Sequence, residues 1–139
     1  MDCPFCAVNK DVTRILEERE HVFVALSNPR LVPGHTLVIP KRHVEKLSEL
    51  NDAERRGLFE TAITYEERIL ERFAKGCDIR QHYRPFLPEN WIKVHHLHIH
   101  LFPREFKDEL YKRSMKYEEA MFRPLPEDER EKFTKLLKE

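Results

Sequence analysis

Apolar and polar positions along the chain follow two rhythms, one of strands and one of helices. Residues 13–19 (TRILEER) and 21–26 (HVFVAL) read as two short strands joined near Glu20. NPRLVPG (28–34) is a turn or loop, and HTLVIP (35–40), rich in β-branched residues, is a third strand. The period then changes. Leu58, Phe59, Ala62, Ile63, Ile69, Leu70 and Phe73 follow helical spacing. Asn51 or Asp52 can cap this segment, and Glu54 can close a capping box on Asn51. Gly76 after Lys75 suits the residue just past a helix end, so the pattern predicts a helix over about 52–75. CDIRQHY (77–83) reads as a fourth strand. RPFLPEN is a loop, because its two prolines remove backbone donors. KVHHLHIHLF (93–102) is a fifth strand, stopped by Pro103. Residues 107–121 and 127–138 read as two helices separated by Pro124 and Pro126. Glu127, Asp128 and Glu129 follow Pro126, near the positive end of the second helix's dipole.

Short strands grouped around one long helix predict an α+β domain. The expected architecture is a mostly antiparallel five-stranded sheet with one long helix, plus C-terminal helices. A doubly wound fold needs strict alternation of strand and helix, which this order lacks. The 139 residues suit a single domain, 1–139, with a core over about 2–104 and a helical extension over about 105–139. A chain of this size buries roughly 68% of its unfolded surface, enough for one ordinary core.

Composition narrows the function. Lys plus Arg is 25 and Asp plus Glu is 25, so the formal net charge is zero. That argues against a dedicated nucleic-acid binder, although a local basic patch stays open. The 36% of charged residues reads as heavily solvated helix faces, with a thermophilic source as the second reading. The start, MDCPFC, shows no secretory signal, and runs such as VFVAL are too short to span a bilayer. A cytoplasmic protein without a membrane partner is expected. Three cysteines, two of them three apart, then point to metal or redox work rather than a disulfide framework.

The densest chemistry is VHHLHIHLFPR, residues 94–104. On a strand, Val94, His96, His98, His100 and Phe102 share one face, and His95, Leu97, Ile99 and Leu101 share the other. The apolar set is a core face against the long helix. The imidazoles form a row with neighbours about 7 Å apart. Their outlet is solvent, a metal, or an anionic substrate. A His-x-His pair is a frequent metal-ligand pattern. A neutral imidazole can also attack phosphorus while its neighbours hold the anion.

HLHIHLF at 96–102, followed by Pro103-Arg104, resembles the histidine triad of the HIT superfamily. PGHTLVIPKRHVEKLSEL (33–50) resembles that family's segment around its third strand, and CPFC resembles the zinc half-site of many prokaryotic members. The resemblance implies a nucleotide-binding hydrolase or nucleotidyl transferase. Such an enzyme acts at the α-phosphate of a nucleotide conjugate or dinucleoside polyphosphate. By position in the motif, His98 is the implied nucleophile, forming a nucleotidyl-histidine, and His100 contacts the phosphate or bridging oxygen. His96 completes the catalytic triad. Asn28, in ALSN, fits the ribose-contacting position. A homodimer is the implied assembly.

The resemblance also supplies partners for Cys3 and Cys6. With His43, from PKRH, and His96 they make a Cys2His2 set, which suits a structural zinc ion. A redox pair or two unconnected thiols are the competing readings of CPFC, and Cys77 reads as a buried strand residue. The match departs before the triad. NWIKV (90–94) puts Ile92 and Lys93 where family members carry phosphate-contacting Gln and Ser or Thr, and no glycine follows Gly76. RQHYRP puts Gln81, His82 and Arg84 on or after the strand expected beside the triad strand, where Gln81 and Arg84 are candidate substituting phosphate contacts; ordinary cross-strand pairing is the other reading. Lys93 reads as a solvated edge residue unless a bulge at Val94-His95 turns it to the triad face, Trp91 as packing at a loop end or closing over a nucleotide base, and His35 and His21 as structural. Two other function classes stay open: a non-catalytic nucleotide-binding regulatory protein, and a catalytic metal site built on the triad histidines.

Overall fold

A computed structural model of the protein describes residues 3–138. The expected domain start at residue 2 lies outside them. The chain divides into two compact units, residues 1–108 and 109–139. In the first, five strands form one antiparallel sheet in the order β1-β2-β3-β5-β4. They are β1 (Ile15–Glu18), β2 (Val22–Leu26), β3 (Thr36–Pro40), β4 (Gly76–Arg80) and β5 (Ile99–Arg104). One long helix, α1 (Asp52–Arg72), packs on one face of the sheet. This is the α+β architecture that the pattern predicts.

Alternation explains the two faces of the sheet. Val22 and Val24 of β2, Val38 of β3, and Ile99 and Leu101 of β5 meet Leu58, Ala62, Tyr65 and Ile69 of α1. Phe23, Ala25, Leu37 and Ile39 form a smaller cluster, joined by Phe5, Val8 and Ile15. β2 and β3 are therefore covered on both sides, which is why VFVAL and TLVI read as unbroken apolar runs. Each fully buried aliphatic side chain contributes roughly 1.5–3 kcal/mol.

The helix starts where expected. The Asn51 side chain accepts from Glu54 N–H at 2.9 Å, and the Glu54 carboxylate accepts from Asn51 N–H at 2.9 Å. That carboxylate also takes two bonds from Arg42, at 2.9 and 2.8 Å. Arg42, and then the Asn51 backbone, hold the Glu54 carboxyl down at about 2. The helix ends at Arg72 rather than Lys75, with Phe73 as its last cap, and Gly76 opens β4 instead of following the helix. The glycine that needs its freedom is Gly34, at φ 79. A Cβ there would meet the Phe73 ring at 2.8 Å and Pro103 at 3.1 Å.

Three other boundaries differ from the pattern. β4 stops at Arg80, which pairs with His100, because the chain before Ile99 leaves the sheet and Gln81–Tyr83 have no partner strand. For the same reason β5 begins at Ile99 rather than Lys93; Leu97 N–H instead bonds Val44 O at 2.7 Å. Pro103 does not stop β5, which continues to Arg104. The β3 ladder ends at Leu101, so at Pro103 one side of β5 needs no donor. Arg104 then locks the strand end, reaching Asp78 at 2.6 Å and Asp108 through two bonds of 2.7 Å.

That clamp, with Lys107 at φ 51, keeps a helix from starting at 107. In the second unit a π-helical turn (Tyr111–Met115) leads into a single turn, α2 (Lys116–Glu119), and α3 spans Glu127–Lys138 as the pattern predicts. None of these three elements has a buried residue. Among the described residues, no helix is long and apolar enough to cross a membrane.

Candidate functional site

His100 is the register partner of Leu37, a residue of the smaller cluster. On this side of the sheet a cleft of about 720 Å³ is lined by His35, His98, His100 and Phe102, a volume ordinary for a small-molecule site. Phe5, Asn28, Arg30, Arg80, Arg84, Trp91 and Lys93 line it too. The His98 and His100 rings lie 4.6 Å apart, centroid to centroid, at 71°. That is closer than even strand spacing implies, because residue 98 precedes β5. Phe102 stacks on His100 at 5.3 Å, and Phe5 meets His98 edge-on at 5.2 Å.

Hydrogen bonds set the tautomers. His98 Nδ1 lies 2.6 Å from the His96 carbonyl oxygen. A carbonyl only accepts, so Nδ1 carries the proton and donates. Neutral His98 therefore has its lone pair on Nε2. Burial pushes the His98 imidazole down, while its bond to the His96 carbonyl opposes the shift. His35 Nδ1 accepts from Leu31 N–H at 3.0 Å, so the proton of neutral His35 is on Nε2. That Nε2–H donates to His100 Nδ1 at 2.9 Å. His100 Nδ1 is thereby an acceptor, and the remaining His100 proton is on Nε2. Burial, aided by His98, lowers His35 to about 4 and His100 to about 2, so both are neutral near pH 7. The pair His98 and His100 thus combines a lone pair with an N–H donor.

His96 faces elsewhere. It is 1% exposed, and its Nε2 lies 2.7 Å from the Pro40 carbonyl oxygen. Nε2 therefore carries the proton and Nδ1 is free to bind a metal. That Nδ1 lies 3.3 Å from Cys3 Sγ, 3.5 Å from Cys6 Sγ and 3.1 Å from His43 Nδ1. Cys6 Sγ is 3.3 Å from His43 Nδ1, and the ligand atoms of Cys3, Cys6, His43 and His96 all lie within 4.8 Å of one another. Tetrahedral zinc with bonds of about 2.0–2.3 Å needs neighbouring ligand atoms about 3.5 Å apart. The set fits such an ion, and the cysteines are free thiols. Arg42, fixed on Glu54 and the Glu49 carbonyl, holds the segment that presents His43.

With this geometry in hand, comparison with known proteins is decisive: the HIT domain profile matches residues 9–107. The chain belongs to the HIT family. A HIT-like protein of Methanocaldococcus jannaschii is 31% identical, over 73% of this chain and 78% of its own length. The Bacillus subtilis protein named hit is 32% identical, over 74% of this chain and 71% of its own. Among solved structures, a zinc-bound histidine triad family protein of Mycobacterium smegmatis superposes with a TM-score of 0.67. It is 26% identical, with 94% of this chain and 87% of that one covered.

Within this HIT chain the fold brings most of the candidate residues together, in two groups. Cys3, Cys6, His43 and His96 converge on one point, while His98, His100, Asn28 and Arg84 line the cleft. Asn28 donates from Nδ2 to the Val12 carbonyl at 3.0 Å, which leaves Oδ1 as an acceptor. Gln81 does not line the cleft; its amide donates to the neighbouring His82 carbonyl at 2.9 Å. His35, read from the sequence as structural, is buried and also orients His100. His82 flanks His100 from the other side, ring to ring at 5.2 Å. Trp91 is not packed at a loop end: it is 75% exposed and lines the cleft, as does Lys93. No spacing rule marks His35, because it meets the triad strand from a different strand, whereas RQHYRP already places His82 beside the triad strand.

Proposed function

We propose that this HIT protein is a nucleotide hydrolase or nucleotidyl transferase acting at an α-phosphate, with His98 as nucleophile. The observation that carries the reading is the bond from His98 Nδ1 to the His96 carbonyl, which leaves the Nε2 lone pair in the cleft. Nε2 forms a bond to phosphorus. The bond to the leaving group breaks, its electron pair going to the departing atom, and His100 Nε2–H donates to the phosphate or bridging oxygen. Water or another acceptor then attacks phosphorus, the P–N bond returns its pair to His98, and the acceptor's proton passes to solvent. Splitting one displacement into two is the gain from covalent catalysis. Asn28 Oδ1 is assigned to the ribose. Intact-mass spectrometry after brief mixing with nucleotide conjugates tests this. A nucleotidyl adduct is expected on the wild type and not on His98→Ala; ligand binding with neither adduct nor turnover would refute it.

Zinc is the metal we assign to Cys3, Cys6, His43 and His96, in a structural role that ties the N-terminal segment to the triad strand. The zinc-bound relative from Mycobacterium smegmatis and the ligand spacing support this. A catalytic metal on the triad fits less well, since His96 Nδ1 turns toward the cysteines while His98 Nδ1 is committed to a carbonyl. The free thiols suit a cytoplasmic location. A homodimer is supported by the apolar stripe Phe59, Ile63 and Leu70 on the outer face of α1, each more than a third exposed, and by the free edge of β4. Light scattering on the wild type and Ile63→Asp tests it, with a shift from dimer to monomer expected.

A further inference from the structure

The loop from Arg84 to Val94 departs most from the family pattern and forms a large part of the cleft wall. It is built rather than slack. The Asn90 side chain accepts from Ile92 N–H at 2.7 Å and Lys93 N–H at 2.9 Å, and Asn90 N–H donates to the Lys93 carbonyl at 3.1 Å. The Glu89 carboxylate accepts from His95 N–H at 2.9 Å, pinning the loop to the triad segment. The turn presents Lys93 to the cleft that Arg84 also lines, and both lie close enough to His82 to act on its charge. Arg80 lines the same cleft but is shared with Asp78 at 3.6 Å and with the Phe102 ring. Arg84 and Lys93 meet no carboxylate among the described residues. No aspartate or glutamate lines the cleft among the described residues, although the whole chain has zero net charge.

We propose that Arg84 and Lys93 form a subsite for a polyphosphate leaving group, so that the substrate carries at least one further phosphate beyond the one His98 attacks. This rests on the nucleotidyl-transfer reading above and narrows it to nucleoside polyphosphates and their conjugates. The position of the cations supports it. Arg84, Lys93 and Arg80 all act on His82, where, after burial itself, they push the imidazole down. His82 in turn lies beside His100, which by this reading faces the bridging oxygen. Positive charge therefore gathers around His82, next to the imidazole that by this reading meets the bridging oxygen. A phosphoramidate or simple phosphodiester places little charge there and leaves two cations unanswered. A chain of phosphates answers both, and arginine grips phosphate oxygens in pairs. No extra proton is needed, because a polyphosphate leaves as an anion.

The test uses inorganic tripolyphosphate, which needs no turnover. Trp91 is the chain's single tryptophan and lines this wall, so its emission reports occupancy of the subsite. Tripolyphosphate is expected to bind the wild type at least tenfold more tightly than inorganic phosphate, with a saturable change in Trp91 emission. Arg84→Ala and Lys93→Ala should each weaken it about tenfold and flatten its salt dependence. Arg56→Ala, an exposed control on α1, should not. Equal affinity for phosphate and tripolyphosphate, or binding that ignores both cleft variants, overturns the subsite. For turnover, the two variants should lower kcat/KM about tenfold for a nucleoside triphosphate or dinucleoside polyphosphate. For a nucleoside phosphoramidate the loss should be under threefold. An equal loss on both substrate types overturns the proposal while leaving His98 as nucleophile. Absence of any His98 adduct overturns the catalytic reading and leaves tripolyphosphate binding as the measure of the subsite.

Discussion

Replacing His35 isolates the hydrogen-bond relay behind the triad. Leu31 N–H, His35 and His100 Nδ1 are linked by bonds of 3.0 and 2.9 Å. His35→Ala removes both. The His100 Nδ1 atom loses its donor and is free to take up the proton, which withdraws the Nε2–H donor from the cleft. A neutral hydrogen bond of this kind is worth about 0.5–1.5 kcal/mol net. If that stabilisation is lost from the transition state, in which His100 must donate from a fixed ring and a fixed nitrogen, kcat/KM falls about 2- to 12-fold. Leu31 is 52% exposed, so water takes the lost partner's place at its N–H and the stability loss from that bond, read separately by denaturant unfolding, is about 0.5–1.5 kcal/mol. His35→Gln is the control. Its amide presents an acceptor and a donor at nearly the separation of the two imidazole nitrogens, so it can bond both Leu31 and His100. The expected result is a clear loss for Ala and recovery of most activity for Gln. Nitrogen-15 spectra of His100 should show Nε2–H in the wild type, a mixture in Ala, and Nε2–H again in Gln. A wild-type His100 protonated at Nδ1, or equal rates for Ala and wild type, would refute the relay.

Further expectations follow from the same geometry. Metal analysis should find one zinc per chain, and Cys3→Ser or His43→Ala should lose it. At free zinc 100 times its Kd, the bound ion adds about 2.7 kcal/mol of stability, which a chelator should remove in a thermal melt. The pH dependence of stability comes from the histidines: His82, His96 and His98 are lowered in the folded chain, and His35 and His100 are lowered to about 4 and about 2. Above the unfolded value near 6.5 both states are neutral and nothing is lost; below it the unfolded chain binds more protons. Each histidine should then cost about 1.4 kcal/mol per pH unit, from about 6.5 down to about 4 for His35, measurable by urea unfolding at stepped pH. Leu58→Ala, at a fully buried position on α1, should cost about 3–5 kcal/mol, seen as a lower denaturant midpoint at unchanged slope. Gly34→Ala should lower the melting temperature, since it combines a positive φ with a ring contact at 2.8 Å.

Local rules carried much of this protein. The alternation of LHIHLF separates Leu97, Ile99 and Leu101, which pack in the core under α1, from His98 and His100, which line the cleft. Asn51 and Glu54 announce the helix start because a capping box is complete within four residues. Strand ends were not legible, because a strand stops where its neighbour leaves, and that neighbour is distant in sequence: Arg80 depends on His100, and Pro103 is tolerated only because the β3 ladder ends at Leu101. The C′ role expected of Gly76 failed for a similar reason, since pairing with Arg104 draws it into β4. At the site, residue types and spacing singled out the triad, CPFC and His43. Tertiary structure alone decided that His96 turns to the cysteines, that His35 sets the His100 tautomer, and that Arg84 and Lys93 share the cleft with Trp91. Those outcomes depend on which nitrogen meets which oxygen across the sheet, and periodicity along the chain carries no record of that.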